Sequence, residues 1–475
     1  MVEAWFVCAW ALAEIKANVS HFKIIFMFCA IWIIDKNNNN ETWYQSNHKD
    51  STLLKADHVV SKPVSHLPAL PPGRNYRFHA MAKPSGAQCN IDCDYCFYLH
   101  KTDLLGHEQQ SRMGDEVLEQ HIRQYIESQT GEEVVFSWQG GEPTLMGLAF
   151  FERVVALEKK YAKPGQKIQN DLQTNGIALD DEWIRFLKKN DFLVGLSIDG
   201  PQKIHDIYRK ARNGKPTFEL VMAAAKKLRD ADVPFAALCV VNRSNAKYPK
   251  EVYRFLADEL GTWRIQFNPA VEPRTFKETA PGKMDGSAAP VQDTPRAKPG
   301  HPLSIVTDWS VDPDDYGSFL SGVWDEWLAT DFGRIHVNLF ETAIAQAAGM
   351  AAQTCTQAEF CGKGLAVEHD GEVYSCDHFV YPEYRLGNLK DIHLGDMAFS
   401  PTQEKFGMDK RDSLPMQCLQ CDYLKLCWGE CPKNRLIKTR DGQPGLNYLC
   451  TGLFRFYEHI GPDVVRILKH LGYLS

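Results

Sequence analysis

Three cysteines on one short loop, Cys89-x3-Cys93-x2-Cys96, have the types and spacing best suited to chemistry. Three thiolates can hold three irons of a 4Fe-4S cube. The fourth iron is then open to a small molecule, like the free position on a catalytic metal. A structural zinc loop completed by His100 is the plainer alternative. Structural zinc sites, however, usually pair two-ligand hooks. Eight more cysteines follow near the C-terminus: Cys355, Cys361 and Cys376, then Cys418, Cys421, Cys427, Cys431 and Cys450. Eight thiols suffice for two fully ligated 4Fe-4S clusters, or for two zinc ions.

Polar groups recur at the ends of apolar runs. Gln139-Gly140-Gly141-Glu142-Pro143 follows the run Glu133–Trp138. Two glycines there let a ligand approach the backbone, although a plain turn also favours Gly and Pro. Gln173-Thr174-Asn175-Gly176 and Ser197-Ile198-Asp199-Gly200 end the next two runs, and Arg209 comes soon after. Such groups at successive carboxyl ends of parallel strands converge on one mouth. Arg209 could grip a carboxylate with two bonds, or be an ordinary surface charge. Asp377 directly follows Cys376 in HDGEVYSCD, where a solvated turn acid is the commoner role.

The elements that must position these groups alternate. Strand candidates are Arg77–Ala82, Glu133–Trp138, Ile168–Gln173, Leu193–Ile198, Phe235–Val241 and Trp263–Asn268. Helix candidates fall at 114–128, 148–162, 180–190, 217–231, 248–260 and 314–330. Their apolar residues recur at three- and four-residue spacing, while the strand runs are short and β-branched or aromatic. Six βα units predict a parallel sheet with right-handed crossovers, curved into a partial (β/α)6 TIM-like barrel. An open flat sheet is the alternative. Residues 274–302, rich in Pro, Ala, Gly and Lys, read as a mobile insertion or linker. Beyond about 340 the periodicity gives way to cysteines and Gly turns. The expected division is therefore 1–74 as an extension, 75–340 as the barrel and 341–475 as a small cysteine-rich iron–sulfur module.

Composition limits the rest. The chain has 475 residues, 44% hydrophobic and 24% charged, with net charge −7. That suits one large α/β domain with a smaller module, and leaves no basic footprint for nucleic acid or anionic membrane. Clustered cysteines in a chain this long point to metal rather than to disulfides. Residues 23–34 (KIIFMFCAIWII) are apolar but shorter than the roughly 20 residues that span a bilayer. They also lack the basic start and cleavage site of a signal peptide. A non-native extension from a wrongly chosen start is the favoured reading over a targeting segment, an anchor or an ordered appendage. The polar tract Asp35–Thr42 reads as disordered. Cluster chemistry favours a reducing, cytoplasmic setting.

The stretch CNIDCDYCFY resembles the radical S-adenosylmethionine superfamily, whose fold is a partial (β/α)6 barrel with the cluster loop after strand one. With FSWQGGEPTL, LQTNG, FLVGLSIDGPQKIHD, ALCVVN, GEVYSCDHFV and YRLGNL, about four-fifths of the chain resembles anaerobic sulfatase-maturating enzymes with a SPASM-type C-terminal module. That resemblance implies three 4Fe-4S clusters and S-adenosyl-L-methionine. Cys89, Cys93 and Cys96 would hold the first cluster. Cys355, Cys361, Cys376 and Cys431 would hold an inner auxiliary cluster, and Cys418, Cys421, Cys427 and Cys450 an outer one. Spacing alone does not give the interleaving of Cys431. Tyr95, Gly141, Ser197, Arg209 and Val271 would contact S-adenosylmethionine, with the GGEP loop receiving its amino group. Tyr98 and Gln139 would flank the reacting side chain, and Asp377 would be the general base.

The implied reaction is oxidation of a Cys or Ser of an unfolded or nascent sulfatase to Cα-formylglycine. A 5′-deoxyadenosyl radical would remove a β-hydrogen, Asp377 would take the proton, and the inner auxiliary cluster would take an electron. A flavodoxin or ferredoxin would donate the starting electron, and the enzyme is expected to be monomeric. Two alternatives stay open. One is another SPASM-type enzyme that makes a thioether or carbon–carbon crosslink in a small ribosomal peptide. The other is a non-catalytic metal-binding protein.

Overall fold

A computed structural model describes residues 77–107 and 112–474. The apolar segment 23–34 and the polar tract after it lie outside the described residues. Six parallel strands form the frame: β1 (His79–Lys83), β2 (Glu133–Trp138), β3 (Lys167–Thr174), β4 (Phe192–Ser197), β5 (Phe235–Val241) and β6 (Arg264–Pro269). Each hydrogen-bonds to the next in chain order. Between them run α1 (Asp115–Ser128), α2 (Leu148–Tyr161), α3 (Asp181–Lys189), α4 (Phe218–Asp230) and α5 (Pro249–Arg254), which continues as one π turn. α6 (Pro313–Thr330) follows β6. The apolar faces explain the choice of elements. α3, for example, is capped by Asp180, whose side chain accepts from Glu182 and Trp183 N–H, and it buries Trp183, Ile184, Phe186 and Leu187 against the sheet.

The barrel is partial because its first and last strands do not pair. β6 pairs instead with the short β7 (His336–Val337), and α7 (Asn338–Ala347) follows. The far edge of β1 is taken by β8 (Gly364–Glu368), which runs parallel to it with His79 opposite Gly364. β9 (Glu372–Tyr374) and β10 (Arg385–Asn388) then extend the same sheet antiparallel. The order is β10-β9-β8-β1-β2-β3-β4-β5-β6-β7, one continuous ten-stranded sheet. The cysteine-rich segment thus shares the barrel's own sheet, and β8 and β9 deliver Cys376 and Asp377 to the mouth.

The last helix, α8 (Cys450–His470), lies across α6. The two backbones meet at Gly317 and Gly452; a Cβ on Gly452 would stand 1.9 Å from the Pro313 carbonyl oxygen. Beside this contact Trp324, Trp327, Phe340 and Phe456 pack as an aromatic cluster. Each such burial contributes roughly 1.5–3 kcal/mol, and together they fix Cys450 at the start of α8. Residues 274–302 differ from the mobile insertion their composition predicts. Phe276 and Ala297 are buried. Backbone bonds join Gln292 and Pro290 to Lys438, and the Tyr381 hydroxyl donates to the Phe276 carbonyl. Pro and Gly remove regular structure without removing docking sites, so the segment is held by the C-terminal module rather than by its own periodicity.

Candidate active site

The loop after β1 carries Cys89, Cys93 and Cys96. Its short strand Ile91–Cys93 pairs antiparallel with Arg209–Ala211, setting Cys93 opposite Arg209. Arg209 is buried, and its Nη1 approaches Cys93 Sγ at 3.9 Å. Its Nε lies 3.3 Å from Asp199 Oδ2, and the Tyr95 hydroxyl donates to the same oxygen. Asp199 Oδ1 accepts from the Val240 N–H at 3.0 Å. Asp199 is therefore the anchor that aims Arg209 and Tyr95 at the cluster loop. Burial pushes the Cys93 thiol up, Arg209 opposes this, and Cys96 and Cys89 add to it. The Cys89 thiol is pushed up to about 12, first by burial and then by Glu142. Three mutually close thiols facing one guanidinium suit a ligand set that must ionise together.

The GGEP loop is seated on the segment that leads into these cysteines. Gly141 N–H donates to the Gly86 carbonyl at 2.8 Å and Glu142 N–H to the Gln88 carbonyl at 2.7 Å. A Cβ on Gly141 would lie 1.9 Å from the Gln88 oxygen. Glycine is needed here for close approach of the chain's own backbone. Glu142 is buried and accepts from the Thr144 hydroxyl at 2.6 Å, the Thr174 hydroxyl at 2.7 Å and the Asn175 N–H at 2.8 Å. Asn175 Nδ2 in turn donates to Asn90 Oδ1 at 2.7 Å and lies 3.7 Å from Cys89 Sγ. Glu142 thus ties β2, β3 and the cysteine loop together. Ser197 ends β4 and is buried. Val271, just past β6, is also buried, and its carbonyl accepts from Lys433 Nζ at 2.6 Å.

Asp377 sits in the 3-10 turn Asp377–Phe379. It is no solvated turn acid. Lys83, the last residue of β1 and only 2% exposed, donates to its Oδ1. Lys83 Nζ also reaches Gln139 Oε1 at 3.4 Å and lies 4.7 Å from the centre of the Tyr98 ring. The Tyr98 hydroxyl donates to buried Glu368. The structure so brings Tyr98, Gln139 and Asp377 together around one lysine. Burial raises Asp377, but Lys83, His378 and Lys101 outweigh it and hold the carboxyl below its ordinary value. Lys101 is buried over the Tyr381 ring, 3.1 Å from its centre. Burial drives its ammonium down to about 7, with Glu272 and Asp377 opposing.

Lys83, Lys101 and Glu368 were not among the sequence candidates, and Asp199 was one only as part of a strand-end group. One signal could have found Lys83: a charged residue closing a buried barrel strand at its carboxyl end. The others depend on contacts between distant segments. Lys83→Met is expected to move the acid limb of the pH–rate profile upward by about one to three pH units, as for a carboxylate losing an adjacent cation. The sign follows from the lowered folded value. Asp377 is ionised above it and contributes stability that is lost as pH falls through it; without Lys83 that loss begins at higher pH. Parallel pH–rate and pH–melting curves check this, and an unshifted acid limb would count against the pairing.

The remaining thiols gather in two groups. Cys376 is raised by burial and then by its neighbours Cys355, Cys431 and Cys361. Cys450 is raised by burial and then by Cys418, Cys427 and Cys421. Cys431 thus stands with the upstream three, as the resemblance implied and spacing could not tell. All the described cysteines are free thiols. Arg435 faces thiols of both groups, and its buried Nε has no hydrogen-bond partner. Lys410 is buried against the Cys355 loop, donating to the Cys355 carbonyl at 2.7 Å and the Thr356 carbonyl at 2.8 Å. Two thiol quartets with buried cations between and beside them fit anionic, thiolate-held clusters.

A parallel partial barrel with an open three-thiol loop at its mouth defines a radical S-adenosylmethionine protein. The Radical SAM superfamily model matches residues 84–256, and the SPASM iron-sulfur cluster-binding domain model matches residues 355–422. The chain belongs to the anaerobic sulfatase-maturating enzymes. It is 44% identical over 393 residues to the serine-type anaerobic sulfatase-maturating enzyme of Bacteroides thetaiotaomicron, covering 83% of this chain and 92% of that one. It is 32% identical to the cysteine-type enzyme of Clostridium perfringens, over 82% and 98% of the two chains. Among solved structures, native anSMEcpe with bound AdoMet and Cp18Cys peptide superposes with TM-score 0.69 at 30% identity, over 83% and 99%. Streptococcus suis SuiB bound to S-adenosylmethionine, at TM-score 0.53 and 15% identity over 79% and 77%, shares the fold. The cofactors are S-adenosylmethionine and three 4Fe-4S clusters. No helix among the described residues is long and apolar enough to cross a membrane.

Proposed function

We propose that this enzyme oxidises the maturation-site Ser or Cys of a sulfatase polypeptide to Cα-formylglycine, with Asp377 as the base. The observation that carries the proposal is the pairing of buried Lys83 with the partly exposed Asp377, flanked by Tyr98 and Gln139 and one residue from Cys376 of the inner thiol quartet. The 44% identity to a serine-type relative supports serine as the target. When bound, S-adenosylmethionine and the first cluster supply a radical that takes a hydrogen atom from the substrate's β-carbon.

The chain's own residues do the rest. Cys89, Cys93 and Cys96 hold the first cluster, and Tyr95, Gly141, Ser197, Arg209 and Val271 surround the S-adenosylmethionine. Asp199 keeps Tyr95 and Arg209 in place. Asp377, ionised beside Lys83, accepts the hydroxyl or thiol proton within hydrogen-bond reach. Tyr98 and Gln139 confine the reacting side chain, and the enclosed mouth limits side reactions. Cys355, Cys361, Cys376 and Cys431 would hold the inner auxiliary cluster and Cys418, Cys421, Cys427 and Cys450 the outer one, groups that supply one-electron chemistry. The working form is a cytoplasmic monomer acting on unfolded or nascent sulfatase, reduced by a flavodoxin or ferredoxin.

Mass spectrometry of paired Ser and Cys sulfatase-motif peptides after incubation with reduced, reconstituted enzyme tests the reading. Loss of two hydrogens from the Ser peptide, or an aldehyde oxygen in place of the Cys thiol, is expected. A crosslinked peptide with no aldehyde would favour the thioether or carbon–carbon alternative.

A further inference from the structure

One group of side chains outside the cysteine clusters has the composition of a metal site. His107, His369 and Asp370 each offer one ligand atom, and the three atoms lie within 4.8 Å of one another. His369 and Asp370 form the turn between β8 and β9, while His107 follows the short helix Lys101–Leu104. His107 Nε2 is 3.3 Å from Asp370 Oδ2. The two imidazoles meet edge to face with centroids 4.5 Å apart.

Two further polar atoms beside the group have no hydrogen-bond partner. His369 is 7% exposed, and its Nδ1 has no hydrogen-bond partner. The adjoining Glu368 is 1% exposed, and its Oε2 is likewise without one, 3.5 Å from that Nδ1. The backbone of the cysteine loop presses on the same ring: Gly86 has φ +53°, and a Cβ there would stand 3.0 Å from Nδ1. A buried polar atom left unpaired is costly. Two such atoms side by side in a pocket of imidazole and carboxylate suit a cation.

We propose that His107, His369 and Asp370 form a zinc-class metal site separate from the three clusters. Two imidazoles and one carboxylate suit zinc and similar borderline first-row ions, whereas calcium and magnesium prefer oxygen ligands alone. The place of the site suggests its role. The ion ties the β8–β9 turn to the loop that follows the cysteines. It thereby positions Glu368, which accepts the Tyr98 hydroxyl beside Lys83.

The test uses holoenzyme carrying all its clusters, cleared of loose metal by a chelator, given zinc and desalted. Iron and zinc are then counted together, and zinc X-ray absorption reads the ligands. Wild type should retain about one zinc per chain, with nitrogen and oxygen neighbours at about 2.0–2.1 Å. His369→Gln and Asp370→Asn should lose that zinc while keeping their iron. Asp370 is the most exposed of the three, at 39%, so Asp370→Asn keeps the test decisive if the His369 variant misfolds. Equal zinc in wild type and variants, no zinc in wild type, or sulfur neighbours at about 2.3 Å would overturn the proposal.

Discussion

Asp377→Asn is expected to keep reductive cleavage of S-adenosylmethionine while formylglycine formation falls by about 10²–10⁴-fold, the usual worth of a positioned general base. The geometry separates the two steps. Asp377 is held by Lys83, Gln139 lies against that lysine and Tyr98 beneath it. The loop proposed to generate the radical, Cys89, Cys93 and Cys96, is held by another set, Arg209 and Asp199. Asparagine keeps the shape of the aspartate and an oxygen for Lys83, but it cannot take a proton near neutral pH. The substrate would lose its β-hydrogen and still keep its hydroxyl or thiol proton. The check is to measure 5′-deoxyadenosine and aldehyde in the same reaction. Wild type should form them together, whereas the variant should form 5′-deoxyadenosine with little aldehyde. Unchanged aldehyde yield would remove Asp377 from the mechanism. Equal loss of both products would place its role in folding or in seating the inner quartet through Cys376.

Much of this arrangement is legible in the sequence because it is local. Each of the six strands begins and ends within a residue or two of its apolar run, since a buried parallel strand must be apolar along its whole length. The helices follow their three- and four-residue spacing for the same reason. Only α5 departs, ending as a π turn over Phe255–Glu259. The cysteine loop is legible because thiol spacing is itself the chemical requirement.

What was not legible is long-range. The pairing of β8 with β1 joins His79 to Gly364, and no local pattern encodes that register. Lys83 and Asp377 meet only because of it. The salt bridge of Lys433 to Glu272 similarly bridges the end of the barrel and the cysteine module. Residues 274–302 misled because composition reports what a segment cannot form by itself, and says nothing of the surface it will lie on. The Gly and Pro of the GGEP loop suit a ligand or a plain turn equally, and no local pattern shows that the Glu142 oxygens are used by Thr144, Thr174 and Asn175. A buried acid at a strand end can hold a loop together as readily as it can meet a substrate.

Replacing Cys89, Cys93 and Cys96 together by Ala should abolish 5′-deoxyadenosine formation outright and leave the two C-terminal thiol groups loaded. The reason is structural independence. The first three thiols sit on a loop fixed by β1, the GGEP turn and the Arg209 strand. The quartets are fixed elsewhere, by β8–β9, Arg435, Lys410 and the Gly317–Gly452 crossing that seats Cys450. Iron should therefore fall by about a third, from about twelve to about eight per chain, as one 4Fe-4S cluster of three is lost. Anaerobic reconstitution followed by iron and sulfide analysis gives the count, and product chromatography gives the activity. Cys89, Cys93 and Cys96 are only partly buried, so Ala at each leaves little void, and any fall in melting temperature should reflect the lost cluster. Iron retained at the wild-type level would mean that the loop holds no cluster. Loss of all iron would mean that the quartets cannot assemble without it. A third of the iron lost together with all radical chemistry would assign the cleavage of S-adenosylmethionine to the three-thiol loop and leave the quartets the passage of electrons.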